Sequence, residues 1–353
     1  LLLFTDATHI DLRKLLKETT LPLRLLGIGM PLSILVGAII AVLLFREISI
    51  WEAALMAVII SPTDAGLGQV IVKSRVVPDR IRQALGVEAG LNDGLAMPFF
   101  TLFISLAVSV DPLRPGSWLL YTVEQIGLGM LVGIVIGWLG GWLIGEAGTR
   151  GWIEDSLQQL GLLALAIFCY GGAGVISGNG FIAAFLGGLL VKRGFQDARF
   201  HTADFSEAWG QFLNFFVFFI FGMIVTPLIS SFDNLIIFYA ALSLTMIRML
   251  PVAISMIGTH LKPASVLFLG WFGPRGLASI VLGLIFLEHE TLLNYESTIA
   301  LVVAATVLIS IFVHGLTAYP GTKWYAKQIR DLDETAPELQ DIISILPGKL
   351  NLR

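Results

Sequence analysis

SPTDAGLGQVIVKSRVVPDRIRQALGVEAGLND, residues 61–93, places acidic side chains inside apolar sequence on both sides of a short basic stretch. Asp64 lies in one apolar run, and Glu88, Asn92 and Asp93 lie in the next, with Lys73, Arg75, Arg80 and Arg82 between them. A charge at the centre of a bilayer costs ~2.5–3.5 kcal/mol on insertion scales. Carboxylates placed there therefore need a partner, water or a function.

The rest of the chain makes that setting a bilayer. Of 353 residues, 56% are hydrophobic and only 14% charged, with a mean hydropathy of +0.84; a soluble domain carries about 25% charged residues. The reading is an all-α polytopic membrane protein. A net charge of -4 gives no footprint for nucleic acid. The single cysteine, Cys169, excludes an internal disulfide and a cysteine metal cluster, and reads as a small core residue.

Apolar runs suited to about 30 Å of hydrocarbon fall near 25–45, 51–73, 80–110, 117–146, 156–176, 180–191, 209–228, 233–258, 264–287 and 296–319. The run at 180–191 is marginal in length. Basic residues test the count of ten. Arg13, Lys14, Lys17 and Arg24 precede the first complete run; Lys73, Arg75, Arg80 and Arg82 follow the second. Arg150 follows the fourth, Lys192, Arg193 and Arg199 the sixth, Lys262 the eighth, and Lys323, Lys327, Arg330, Lys349 and Arg353 the last. Ten crossings put all of these on one side and only Arg46 and Arg114 on the other, so both ends of the complete spans' region are expected in the cytoplasm of a cell-membrane protein. A re-entrant 180–191 would weaken the bias. The chain opens on Leu1, Leu2, Leu3 and Phe4, as if inside a span, so N-terminal spans are expected to be missing. Residues 1–24 then read as the end of a truncated span and a cytoplasmic loop, 25–319 as the transmembrane region, and 320–353 as the start of a polar cytoplasmic tail.

Gly129, Gly133, Gly137, Gly141 and Gly145 form a stripe that lets another helix approach closely. Two other spans are broken near their middles: Pro62 and Gly66 flank Thr63 and Asp64, and Gly273, Pro274 and Gly276 surround Arg275. Proline removes a helical donor and glycine eases unwinding. Paired interruptions are the sequence sign of a transporter site between inverted repeats.

Five charges lie deep within spans, away from their ends: Asp64, Glu88, Asp93, Arg248 and Arg275. Three carboxylates against two guanidiniums leave one carboxylate that a single proton or monovalent cation neutralises. Glu88 and Asn92 share a helix face, four residues apart, while Asp93 is turned by about 100°. Glu88 suits a structural pair with Arg248, and Asp93 beside a neutral amide suits the exchangeable site. Asp64 sits where a half-helix dipole stabilises negative charge; Thr63 and Asn92 supply neutral oxygens for a hard cation. His9, His201, His260, His289 and His314 show no metal-ligand spacing, and His314 reads as a packed or interfacial histidine, with pH sensing as the lesser alternative. Glu124 and Glu146 are expected to face water, and Glu288, His289 and Glu290 to form a solvated outer loop.

The Thr-Asp pair in a broken span, Glu88 followed by Asn92-Asp93, the Arg of MIRMLPVA and the GPRG break together resemble monovalent cation:proton antiporters of the NhaP and sodium/proton exchanger type. The resemblance runs from FTDATHIDLRKL to about Tyr319. It implies two inverted six-span repeats with two discontinuous crossing helices, divided into a moving core (elements near 51–110 and 233–287) and a dimerisation scaffold. About two spans and most of a third would be missing. It further implies a homodimer that is no enzyme, needs no cofactor, and exchanges Na⁺, or alternatively Li⁺ or K⁺, for a proton. Asp93 would hold alkali cation or proton in turn, with Asn92 marking electroneutral one-for-one exchange and Glu88–Arg248 a structural pair. One departure is the proline, which stands at Pro62 rather than after Asp64.

Other classes read less well. An intramembrane aspartyl protease lacks its Gly-x-Gly-Asp pattern, since the second site reads GLND, and leaves both arginines without a role. A passive channel is distinguished by single-channel currents, and a sodium-coupled symporter by an organic solute moving with the cation.

Overall fold

The computed structural model describes residues 1–9, 20–64, 67, 71, 74, 76–108, 115–194, 202–288, 293–330, 332 and 336–339. Gly66, the basic residues Arg13, Lys14, Lys17, Lys73, Arg75, Arg114, Arg199, Lys349 and Arg353, and His201, His289 and Glu290 lie outside the described residues.

Helices account for nearly all of what is described: α1 (Leu2–His9), α2 (Thr20–Leu44, with one widened turn at Leu25–Gly29), α3 (Ile50–Ile59), α4 (Asp79–Val108), α5 (Pro115–Thr149), α6 (Asp155–Val175) and α7 (Gly180–Gly194). The second half holds α8 (Thr202–Val225), α9 (Asn234–Leu244), α10 (Met246–Ser255), α11 (Pro263–Trp271), α12 (Leu277–Glu288) and α13 (Glu296–Ile329). No strand occurs among the described residues. Among the described residues, seven helical stretches are long and apolar enough to cross a membrane. They match seven of the ten apolar runs. The other three are shorter for identifiable reasons: 180–191 is the 15-residue α7, α3 stops at Ile59, and the ninth run divides into α11 and α12 around non-helical residues 272–276.

Local chemistry sets several of these ends. Ser49 and Glu52 form a reciprocal capping box at the start of α3, with the Ser49 N–H bonded to Glu52 Oε2 at 3.0 Å and the Glu52 N–H to Ser49 Oγ at 3.2 Å. Asp233 caps α9 by accepting the Ile236 N–H at 2.8 Å. Pro263 begins α11, where a missing N–H costs nothing.

The glycine stripe of α5 lies directly on the backbone of α7. A Cβ at Gly129, Gly133 or Gly137 would stand 2.5 Å from Asn179 O, Ala183 O or Gly187 Cα, and one at Gly141 would overlap Val191 O. The partners are fifty residues on at every step, so the two helices run parallel in one register. Phe4 of α1 presses as closely on Gly188. These helices, with α6, share a hydrophobic cluster around Phe4, Leu165, Cys169 and Val191. The largest cluster joins α2, α3, α4, α9, α12 and α13. Another packs Leu21, Ile81, Phe268, Phe272 and Tyr325 where α2, α4, α11 and α13 meet. Phe215, Phe219 and Met223 of α8 point outward, as lipid-facing residues do.

Candidate functional site

The site is built where two helices stop short. α3 ends at Ile59, and the backbone from 61 to 64 is non-helical, with Pro62 lacking a donor. α11 ends at Trp271, residues 272–276 are non-helical, and α12 begins at Leu277. The two interruptions touch backbone to backbone, the Asp64 N–H donating to Pro274 O at 2.7 Å.

Each break satisfies the other. Asp64 Oδ2 accepts the Leu277 N–H at 2.7 Å, at the positive end of α12, and Oδ1 accepts the Leu67 N–H at 3.2 Å. Arg275 Nη1 donates to Ser61 O and, at 3.2 Å, to Pro62 O, the carbonyls left bare beyond α3. Its own N–H donates to Ser310 Oγ of α13 at 2.6 Å. Arg275 is 1% exposed, so the guanidinium is held wholly inside the protein. Both glycines of GPRG are there because a neighbour fills their space. A Cβ on Gly276 would overlap Asp64 Oδ2, and one on Gly273 would stand 2.6 Å from Arg248 Nε.

α4 crosses this pair carrying Glu88, Asn92 and Asp93. Glu88 and Arg248 of α10 form a buried two-pronged ion pair, Nη1 to Oε1 and Nη2 to Oε2, the latter at 2.8 Å. One turn on, Asn92 Nδ2 donates to Thr63 Oγ1 at 2.6 Å, fixing α4 to the first break. Asn92 Oδ1 is buried and accepts no hydrogen bond among the described residues. Asp93, half-buried, lines a cavity of about 310 Å³ between α4, α6, α7, α12 and the start of the chain. Its other described lining residues, among them Met97, Tyr170, Phe181 and Val281, are uncharged.

Four residues that the sequence reading passed over or left bland are tied to these helix ends. His314 is 2% exposed. Its Nε2 lies 2.9 Å from Trp271 O, and its Nδ1 lies 3.0 Å from Ser310 O and 3.1 Å from Ser310 Oγ. Ser310 and His314 thus bridge both sides of the second break from one face of α13, an (i, i+4) spacing readable in the sequence. Glu52, beyond its capping box, accepts the Tyr295 N–H at 3.2 Å; its Ser-x-x-Glu pattern was a readable signal. Glu338 carries no such signal, standing in the polar tail, yet it is 1% exposed. Both glutamates stand outside the five charges that the sequence places deep within spans.

A family model described as the transmembrane part of sodium/hydrogen exchangers matches residues 1–324. The chain belongs to that family. It is a multi-pass membrane transporter of the cation/proton exchange class, not an enzyme. A Na(+)/H(+) antiporter of Schizosaccharomyces pombe is 28% identical over 327 residues, covering 82% of this chain and 68% of that protein. A K(+)/H(+) antiporter, NhaP2, of Shewanella baltica is 25% identical over 236 residues, 65% of this chain and 40% of that protein. The chain therefore spans about two thirds of the first relative and well under half of the second. The sodium proton antiporter MjNhaP1 of Methanocaldococcus jannaschii, solved at pH 8, shares the fold with a TM-score of 0.77 at 17% identity, over 92% of this chain and 83% of that one. The antiporter fold expected from the sequence is the fold of this family member.

Proposed function

We propose that this transporter exchanges one monovalent cation, Na⁺ first, for one proton, both competing for the carboxylate of Asp93. The observation that carries this reading is that Asp93 lines the 310 Å³ cavity, immediately after Asn92, whose amide is bonded to Thr63 at the first break. An ionised carboxylate cannot cross an apolar barrier cheaply. Binding a proton or an alkali cation removes that penalty, so only a loaded carrier moves, and the gradients alone drive exchange without a cofactor. Asn92, Thr63 and Asp64 supply oxygens near the ion, Asp64 being held at the α12 N-terminus. Glu88 and Arg248 neutralise one another and leave the charge balance of the site to Asp93. The moving core comprises the elements near 51–110 and 233–287, and a scaffold including α5 and α7 pairs two copies. Both ends of the span region face the cytoplasm. K⁺ is the second reading for the cation, because several relatives are described as K(+)/H(+) antiporters.

The test is cation-dependent dissipation of an imposed pH gradient in proteoliposomes, run with Na⁺, Li⁺ and K⁺ under a clamped membrane potential. Exchange should persist under the clamp and fall at least 100-fold in Asp93→Asn. Full exchange by that variant, or currents that scale with transport, would overturn the assignment. Because proton and cation compete for one group, a tenfold rise in cation should move the acidic limb of the pH profile down by about one unit.

A further inference from the structure

The outer ends of the two broken helices are closed by glutamates of different origin. At α3 the cap is local: the N–H of Ser49, the residue before the helix, is taken by Glu52 three residues on. At α11 the equivalent residue is Lys262, which has no side-chain cap of its own, and the position three residues on is Ser265. A carboxylate nevertheless takes the same backbone group. Glu338 Oε1 accepts the Lys262 N–H at 2.6 Å and the Ser265 hydroxyl at 2.8 Å. The Ser265 hydroxyl in turn lies 2.9 Å from Tyr325 OH, and Tyr325 stacks on Phe268 of α11 with ring centroids 4.2 Å apart. One residue earlier, Pro337 O accepts a hydrogen bond from Arg80 Nη1 at 2.6 Å, in the first turn of α4.

We propose that residues 336–339 act as a clip: Glu338 supplies across the chain the capping carboxylate that α11 lacks, and with Pro337 fastens α11 to α4. α11 leads to Arg275 and α4 carries Glu88, Asn92 and Asp93, so the clip joins the two elements that bear the site and makes them move as one. Glu338 is a positioning residue for exchange and touches no transported ion. An unclosed helix start leaves its first N–H groups without partners and frays; here the fray would propagate toward Arg275 over only nine residues. The effect on transport rests on the exchange reading above, whereas the clip itself does not.

The test is hydrogen–deuterium exchange on the full chain in detergent, combined with transport in proteoliposomes. In Glu338→Ala, peptides covering 262–266 and 336–339 should exchange at least tenfold faster than in the parent, while those covering Asn92 and Asp93 stay protected. Turnover should fall about tenfold with the apparent cation KM within twofold, because the ion site is intact. Glu338→Gln, whose amide oxygen still accepts, should lie between parent and Ala on both measures and serves if the Ala variant fails to fold. Unchanged protection at 262–266 in either variant would overturn the clip. A tenfold loss of protection with unaltered turnover would overturn its role in exchange. Parent protein that shows the protection but no exchange would instead count against the transport reading alone.

Discussion

The two breaks make the same repair with opposite charges. At the second, a carboxylate from the first accepts the leading N–H of α12; at the first, a guanidinium from the second donates to carbonyls stranded beyond α3. The chemistry differs in what can replace it. Arginine offers several donors in a fixed fork and stays charged, and no other side chain reproduces that. A carboxylate can be protonated, meet a cation, or give way to an amide of the same shape. One break is thus a fixed anchor and the other is adjustable, although both look like Pro/Gly interruptions bearing one charge.

The largest effect should come from removing the anchor. Arg275→Met leaves the Ser61 and Pro62 carbonyls buried without donors, at about 1–3 kcal/mol each, so a loss of about 2–6 kcal/mol is expected, read as a lowered melting temperature in detergent together with lost exchange. Stability equal to the parent would remove the anchor from the comparison. Next, Gly276→Ala puts a methyl group onto Asp64 Oδ2, which cannot retreat without losing the Leu277 N–H; overpacking of this kind costs about 1–3 kcal/mol, and exchange should slow more than with alanine at the uncrowded Gly222. Asp64→Asn keeps an oxygen for Leu277 and should cost only about 1 kcal/mol in melting experiments, while transport falls by far more than stability does. If it melted as early as Arg275→Met, the asymmetry would be wrong. Smallest of all, His314→Gln removes part of the bridge to Trp271 and should shift stability by about 1 kcal/mol while leaving the identity of the transported cation unchanged in the liposome assay.

Residues 61–64 and 272–276 were legible because proline and glycine act locally, and the charges inside them stand out against apolar sequence. Glu88 and Arg248 were legible as a pair because few charges share the interior. The crossed capping was not, since its partners lie 213 and 214 residues apart and nothing local says which helix end each will meet. The same holds for Glu338, where a polar tail conceals a residue whose environment is supplied by α11 and α13. The stripe on α5 announced a close neighbour, but that neighbour, α7, is short enough that its length alone left its course open. Ser310 and His314 looked like ordinary members of an apolar span because their partners are backbone groups, which leave no trace in composition.

The fifty-residue register between α5 and α7 carries a mechanical consequence. Backbone rests on backbone at four successive positions spaced about 6 Å apart, with no side chain between to bend or change rotamer. Such a surface behaves like meshed teeth: a slide smaller than one tooth drives a Cα into a carbonyl oxygen, and a full tooth requires the helices to part first. This pair is a strut of fixed length. Displacement during a transport cycle must be taken up at softer surfaces, where side chains rather than main chains meet.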